Sequence, residues 1–320
     1  MKFSVIMMCH NSEKYIERAI DSLKMQTEKD WELIIVDDAS TDNTMDLVFE
    51  KFCPDERINY YSVDFDSVGK TINYAIELAK GEYISVLDPD DSYPFDRLEM
   101  MYPTKGKPDI VKGGWTEISG DKRTHKELSR DIVTFKPIDL TLEEKMEYFG
   151  IMPVWWNAIY RREFLIKNNI KAHETDGAAY QDNAWVFQAN MRAESVMVIP
   201  GEWYLYYTDN PTSSTHSSRY PMSIKTEFNW ITEMLDDDPY LNFKLRRILE
   251  KLRFTSYFWN LKRISEEDRE EWKFFMQRDF KRNWEYMDCR LYTEEEWNAM
   301  RICMENPQNI IVNGETNEQK

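Results

Sequence analysis

The chain has 320 residues, 42% of them hydrophobic and 14% aromatic, and a net charge of −17; this is room for one large domain, or one domain with a helical annex, and excludes collagenous and low-complexity chains. The acidic balance repels phosphate backbones and anionic lipid heads over the molecule as a whole, so nucleic acid is not an expected partner. The four cysteines, Cys9, Cys53, Cys289 and Cys303, form no CxxC pair that would suggest a zinc knuckle or a disulfide framework.

The first hundred or so residues alternate strand and helix patterns. FSVIMM (Phe3–Met8) reads as a strand that begins almost at the amino terminus, without the basic, apolar and small-residue order of a signal peptide. Asn11 or Ser12 then caps a helix that places Tyr15, Ile16, Ala19, Ile20 and Leu23 on one face. ELIIVDD (Glu32–Asp38) is a second strand, followed by STDNT and a helix with Met45, Val48 and Phe49. INYYSV (Ile58–Val63) is a third, and a helix carrying Ile72, Ala75, Ile76 and Ala79 leads to the fourth, EYISVLD. Such alternation with short links predicts right-handed βαβ units and a parallel, doubly wound sheet.

Beyond Pro103 the pattern loosens into a strand at DIVKGGW, a polar excursion from Ser119 to Arg130, and aromatic strands up to WYLYYT (Trp203–Thr208). From about Met222 to Asn306 the sequence is helical and charged, and it includes one basic run, KLRRILEKLR (Lys244–Arg253), that could touch an anionic surface or simply be a solvated helix face. No run of about 18 apolar residues exists, so no integral membrane segment is expected. The location this predicts is cytoplasmic, with peripheral attachment at the inner face of the membrane as an option.

In a doubly wound sheet ligands bind beyond the carboxyl ends of the strands, and two acidic clusters, Asp37-Asp38 and Asp88-Asp90-Asp91, stand at such ends. Three carboxylates in four positions repel one another unless a cation is present. A hard divalent ion such as Mg²⁺ or Mn²⁺ takes one or two protein oxygens and leaves positions for phosphate. The alternative is a capped turn, in which Asp91 or Ser92 starts a helix before Tyr93-Pro94. Competing motif readings fail. The first strand is followed by MCHNSE, without the glycines of a dinucleotide fold; GKT at Gly69–Thr71 would need a glycine at Asp64 to be a P-loop; an EF-hand loop from Asp88 would need one at Tyr93.

Several motifs in order match a family. FSVIMMCHNSEKYIERAIDSLKMQTEKDWELIIVDDASTDNT resembles the opening of family 2 glycosyltransferases of the GT-A fold, and GKTINYAIELAKGEYISVLDPDD resembles that family's approach to its DxD motif. WWNAIYRREFLIKNNI and YQDNAWVF resemble its second half, including the short acidic motif that supplies a catalytic base. The resemblance covers roughly Met1 to Ser218. It implies a GT-A α/β domain over 1–218, with a nucleotide-binding half over 1–102 and an acceptor half over 103–218. Outside it remain a helical annex over 219–306 and a flexible tail over 307–320.

Carried over residue by residue, the resemblance implies that Asp38, with Asp37 beside it, contacts the nucleotide base, usually uracil. The backbone around Met8 lines the base pocket, and Asn73 joins the nucleotide-sugar contacts. Asp88 and Asp90 form the DxD, Asp90 on Mn²⁺ or Mg²⁺ and Asp88 on the ribose or the metal shell. Asp182 deprotonates an acceptor hydroxyl in a single inverting displacement; its plainer role would be to cap the helix NAWVFQANM. His216 is a further candidate for the metal or the diphosphate, and Ser213 and Ser214 for phosphate. Trp155, Trp156, Trp203 and Tyr206 could stack on sugars, although core packing is the commoner fate of such rings. Against the family pattern, Met8 replaces a proline, His10 a tyrosine and DDAS a DDGS, a mild change if residue 39 keeps φ negative. The acidic pair is reduced to Gln181-Asp182, with Gln181 expected to bear on acceptor choice.

The expected function is transfer of a sugar from a nucleoside diphosphate sugar, a UDP-sugar by preference, to a hydroxyl in surface glycan or polysaccharide synthesis. The acceptor would be a glycan or lipid-linked glycan, with protein or a modified nucleic-acid base behind them. One rival is a catalytically silent GT-A domain that binds nucleotide-sugar or serves as an assembly partner. Another, a nucleotidyltransferase, would need a basic loop after the first strand, where CHNSEK offers only Lys14.

Overall fold

In the computed structural model, which describes residues 1–128, 133–211, 213 and 222–310, the apolar runs at the start of the chain become parallel strands. β1 (Phe3–Cys9), β2 (Trp31–Asp38), β3 (Ile58–Val63) and β4 (Tyr83–Val86) lie in the order β3-β2-β1-β4, each parallel to its neighbour. β1 and β4 are buried throughout and β2 up to Asp37. Strands covered on both faces explain why these runs are continuously apolar rather than alternating.

Helices α1 (Ile16–Lys24), α2 (Thr44–Lys51) and α3 (Val68–Leu78) supply the crossovers. α1 buries Ile16, Ala19, Ile20 and Leu23 at the expected spacing, but neither Asn11 nor Ser12 caps it. The helix opens at Tyr15, after a turn in which the Ser12 carbonyl accepts from the amides of Tyr15 and Ile16.

After α4 (Arg97–Met101) the same sheet continues through β5 (Ile110–Ser119), β6 (Lys122–Lys126), β7 (Val133–Phe135), β8 (Ala158–Arg161) and β9 (Val196–Tyr207). The polar excursion expected after Ser119 begins with a hairpin instead: Gly120 turns with φ +54° and β6 pairs back on β5. β8 enters between β4 and β5, antiparallel to both; β9 runs parallel to β5, with β7 antiparallel on its far side. Two reversals cancel, so β1 to β5 and β9 share one direction and the sheet is mostly parallel, as expected of a doubly wound α/β fold.

Helices α5 (Leu142–Phe149), α6 (Arg162–Lys167) and α7 (Gln181–Arg192) follow. The chain divides into two compact units, Met1–Asp139 with Pro153–Ser213, and Leu140–Met152 with the described residues from 222 onward. The second unit holds α5, α8 (Ser223–Asp236), α9 (Pro239–Arg263), α10 (Glu266–Arg282) and α11 (Glu294–Glu305). Pro239 in the first turn and Asp238, whose carboxylate accepts from the amides of Tyr240 and Leu241, start α9.

The basic run lies within α9 and is largely internal. Arg246 and Arg253 are buried and both pair with Glu250 at 2.9 Å, Arg253 also meets Asp279 at 2.9 Å, and Lys251 pairs with Glu296. A buried charge needs such partners, so most of the run's cations serve the unit's interior. No described helix is long and apolar enough to cross a membrane.

Candidate functional site

β1 and β4 separate where the site begins. Their pairing runs from Phe3–Tyr83 to Ile6–Val86, and the Leu87 amide still donates to the Ile6 carbonyl at 2.9 Å. Beyond it β1 continues to Cys9 along β2 alone, while the chain after β4 turns off into Asp88. Strand order reverses between β1 and β4, which opens a crevice at the carboxyl ends. Met8, two residues past Ile6, directs its backbone to the same side as Ile6 does, toward that crevice.

On the β2 side the acidic pair holds loops. Asp37 is buried and accepts from the hydroxyls of Ser40 and Tyr60. Asp38 accepts from the amides of Phe65 (2.6 Å), Asp66 (3.2 Å) and Ser67 (3.0 Å). The loop after β1 is tied to the loop after β2: Asn11 Oδ1 accepts from the Thr41 amide, the Asn11 amide donates to Ser40 Oγ, both at 2.8 Å, and His10 Nδ1 lies 2.7 Å from the Asp38 carbonyl.

Between these contacts Ala39 turns with φ +55°. The condition for a mild glycine-to-alanine exchange is therefore not met, because a left-handed conformation costs an L-residue roughly 1–2 kcal/mol. Ala39→Gly is expected to stabilise the protein by about 0.5–1 kcal/mol once glycine's greater freedom in the unfolded chain is subtracted. Urea unfolding measures it, and an unchanged or lower midpoint would contradict the strain.

A strap from the second half of the chain crosses α3. Gly69 permits it, since a Cβ there would lie 2.0 Å from the His173 carbonyl oxygen. The structure places Asn73 beneath this strap, donating to the Ala172 carbonyl (2.9 Å) and Glu174 Oε1 (3.0 Å) and accepting from the Ala172 amide (2.8 Å). Ser67 Oγ donates to the Thr175 carbonyl at 2.7 Å, and Gln181, buried, donates to Thr175 Oγ1 (3.0 Å) and accepts from the Ala179 amide (2.7 Å). Gln181 thus braces the strap from inside. Tyr180, at φ +71°, is the residue that precedes α7, which puts Asp182 inside the first turn and not at the cap.

The strap thereby delivers Asp182 to the carboxylates that follow β4. Burial pushes Asp182 up to about 7, against hydrogen bonds from Asn183, whose side-chain amide lies 3.2 Å away. Asp88 is half-buried; burial first, then repulsion by Asp90 and by Asp182, pushes it up to about 8, while a hydrogen bond from Trp155 acts the other way. Asp91 is buried and raised well above the carboxylate range by burial and its two neighbours. It accepts from the Tyr204 hydroxyl at 2.9 Å and the Tyr207 amide at 2.8 Å.

These carboxylates do not cap a helix. α4 starts only at Arg97, with Asp96 at its cap, and Ser92 pairs with Leu205 of β9. Asp90 Oδ2 accepts from the Asn210 side chain at 2.7 Å, and Asp90 Oδ1 has no hydrogen bond among the described residues.

Among the described residues no three His, Cys, Asp or Glu side chains converge into a ready cation cage. Asp88 and Asp90 nevertheless suit a hard cation held by one or two carboxylates with phosphate completing its shell. Their oxygens are the right donors, and the repulsion between Asp88 and Asp90, which adds to the effect of burial on Asp88, is what a cation would relieve. His216 and Ser214 lie outside the described residues; the Ser213 amide donates to the Asn210 carbonyl at 3.2 Å.

The aromatic candidates pack on each other: Trp156 stacks on Tyr204 and Tyr206, with centroids 4.3 and 5.2 Å apart, and Trp155 meets Trp185 edge-on. Trp203 covers Gly113, where a Cβ would sit 2.4 Å from its ring. Sequence reasoning missed Tyr204, Asn210 and Arg18, whose guanidinium donates to the Asp90 carbonyl and lies 3.6 Å from the Tyr207 ring centroid. It also missed Arg97, buried and bonded to the carbonyls of Trp156 and Trp203. None of these belongs to a recognisable spacing; the carboxylates they serve were the available signal.

Comparison with known proteins gives a consistent picture. The family model described as "Glycosyl transferase family 2" matches residues 4–168. The "Uncharacterized glycosyltransferase EpsJ" of Bacillus subtilis (strain 168) is 31% identical over 219 residues, which cover 66% of this chain and 62% of that protein. The "Poly(ribitol-phosphate) beta-N-acetylglucosaminyltransferase TarS" of Staphylococcus aureus (strain Mu50 / ATCC 700699) is 27% identical over 214 residues, 65% of this chain and 36% of TarS. The chain thus spans less than two thirds of the length of either relative. Among solved structures, S. aureus TarS 1-349 in complex with UDP-GlcNAc aligns with a TM-score of 0.71 at 18% identity, over 95% of this chain and 88% of that one. The mannosyltransferase PcManGT from Pyrobaculum calidifontis, in complex with GDP-Man and Mn²⁺, aligns with a TM-score of 0.50 at 17% identity, over 72% and 64%. At these identities the structural likeness is one of fold.

Proposed function

Because the chain belongs to glycosyl transferase family 2, we propose that it moves a sugar from a nucleoside diphosphate sugar to an acceptor hydroxyl, with inversion at the anomeric carbon. The observation that carries this reading is the meeting of Asp182, from the start of α7, with the carboxylate loop after β4, close enough for the Asp182 charge to act on Asp88. One half supplies a donor site, the other a base. The UDP and UDP-GlcNAc complexes of TarS favour uridine as the nucleotide here, and the ribitol-phosphate polymer named for TarS favours a surface glycan acceptor.

In this mechanism the crevice between β1 and β4 receives the nucleotide, with the Met8 backbone and the loops braced by Asp37 and Asp38 forming the base pocket. Asp88 and Asp90 would hold Mn²⁺ or Mg²⁺, which when bound offsets the charge of the departing diphosphate. Asp182 accepts the proton of the acceptor hydroxyl as that oxygen attacks the anomeric carbon. Its raised pKa suits the task, because a base near neutrality is both available and strong enough to draw the proton.

Calorimetric titration with UDP, GDP and CDP, each with Mn²⁺ and with EDTA, tests the donor half. UDP is expected to bind selectively and only with the metal, and Asp90→Ala should abolish that metal-dependent binding. UDP binding that EDTA leaves unchanged would remove the metal from the reading, and no nucleotide binding at all would leave a silent domain.

A further inference from the structure

β9 and the residues after it run like a rail along the carboxylate loop. Ser92 and Leu205 exchange both backbone hydrogen bonds, at 3.2 and 3.0 Å. Tyr204 Oη accepts from the Asp88 amide at 3.1 Å and donates to Asp91 Oδ2 at 2.9 Å, and the Tyr207 amide takes Asp91 Oδ1. Asp91 is therefore an anchor with both oxygens engaged, which leaves Asp88 and Asp90 to face a ligand. Past Tyr207 the chain reaches Asn210, itself buried, whose Nδ2 donates to Asp90 Oδ2. Arg18 holds the Asp90 carbonyl. Backbone and side chain of Asp90 are thus gripped separately, by residues far from it in the chain.

We propose that Asn210 is a positioning residue for Asp90: it takes one carboxylate oxygen and so turns the other, Oδ1, toward the divalent cation. A carboxylate bonded through one oxygen loses its freedom to rotate about the Cβ–Cγ bond, and the lone pairs of the second oxygen then point in a set direction. An amide suits this task by its neutrality. Lysine or arginine would supply the positive charge meant to come from the ion, and a carboxylate would repel Asp90. Partners that orient a ligand in this way typically contribute 10- to 100-fold to metal affinity. The inference rests on the metal-dependent donor site proposed above.

The test is Mn²⁺ titration followed by electron paramagnetic resonance, and UDP calorimetry with and without Mn²⁺, on the full chain carrying Asn210→Ala or Asn210→Asp. Asn210→Ala is expected to weaken Mn²⁺ binding about 10-fold or more. Asn210→Asp should weaken it as well, since two carboxylates then meet at hydrogen-bond distance. Wild-type Mn²⁺ affinity in Asn210→Ala overturns the proposal. So does tighter Mn²⁺ binding in Asn210→Asp, which would make residue 210 a ligand and not an orienting partner. A wild-type protein that binds UDP without regard to Mn²⁺ removes the metal from the functional reading and with it the premise of this inference, a result separable from both because it appears before any substitution is made.

Discussion

Asp182→Asn is expected to lower turnover by about 10²- to 10⁴-fold while UDP affinity stays at its wild-type value. Asparagine nearly matches aspartate in shape and keeps a carbonyl oxygen for the Asn183 amide; what it cannot do is accept the acceptor's proton. The same assignment fixes a pH dependence. Burial raises the Asp182 carboxyl to about 7, and only the ionised form is a base. The wild-type rate should therefore climb with pH through about 7 and level off above it. Mn²⁺, present throughout turnover, favours the carboxylate and should hold the acid limb at or below that value. In Asp182→Asn the limb should disappear. A loss of UDP affinity that parallels the loss of rate would show a broken site instead of a missing base.

Asp279→Ala should have the largest effect on stability, costing about 3–5 kcal/mol, the usual loss when one partner of a buried ion pair is removed. Arg253 is almost fully buried in the helical unit, between Glu250 and Asp279, and Tyr257 Oη donates to the same Asp279 oxygen at 3.1 Å. Without Asp279 the Arg253 charge keeps one carboxylate, which Arg246 already shares. Urea unfolding followed by circular dichroism reports the change. The double substitution Arg253→Met with Asp279→Leu is expected to recover much of it, since apolar groups of similar volume can replace a buried pair at little loss. A cost below about 1 kcal/mol for the single change would mean that the pair is effectively solvated.

What the sequence reveals follows burial. β1, β2 and β4 are legible because strands covered on both faces leave continuous apolar runs, and β3, a part-buried edge strand, is legible from the β-prone run INYYSV, whose ends it shares. β9 reads as a strand only from Trp203 because Pro200 and Gly201, the latter at φ +100°, look like a turn, whereas in the sheet they form an irregularity that the strand passes through. β6 is polar and pairs with β5 alone, so no periodicity marks it. In the candidate site, Asp88, Asp90 and Asp182 are legible from position and resemblance, but the use of their oxygens is not. Asp37 and Asp38 show the difference most clearly. Their place at a strand end is written in the sequence, yet their bonds to Tyr60 and to the amides of Phe65–Ser67 depend on which loops the fold brings near. The basic run of α9 failed as a surface signal for the same reason, since pairing with Glu250, Asp279 and Glu296 is invisible from local charge.

The insertion of β8 between β4 and β5 also bears on how the protein comes to be folded. β1 to β4 can assemble as the chain is made, β2 closing on β1, β3 on β2 and β4 back on β1. β5 cannot dock on β4, because its neighbour β8 has yet to be synthesised. Contacts that must wait for distant chain are slow to form. The donor crevice should therefore take shape early, with an unsatisfied edge at β4, and Asp182 should reach it only after β8 has closed that edge. A chain interrupted before Ala158 would carry half a site and an exposed strand ready to pair with the wrong partner.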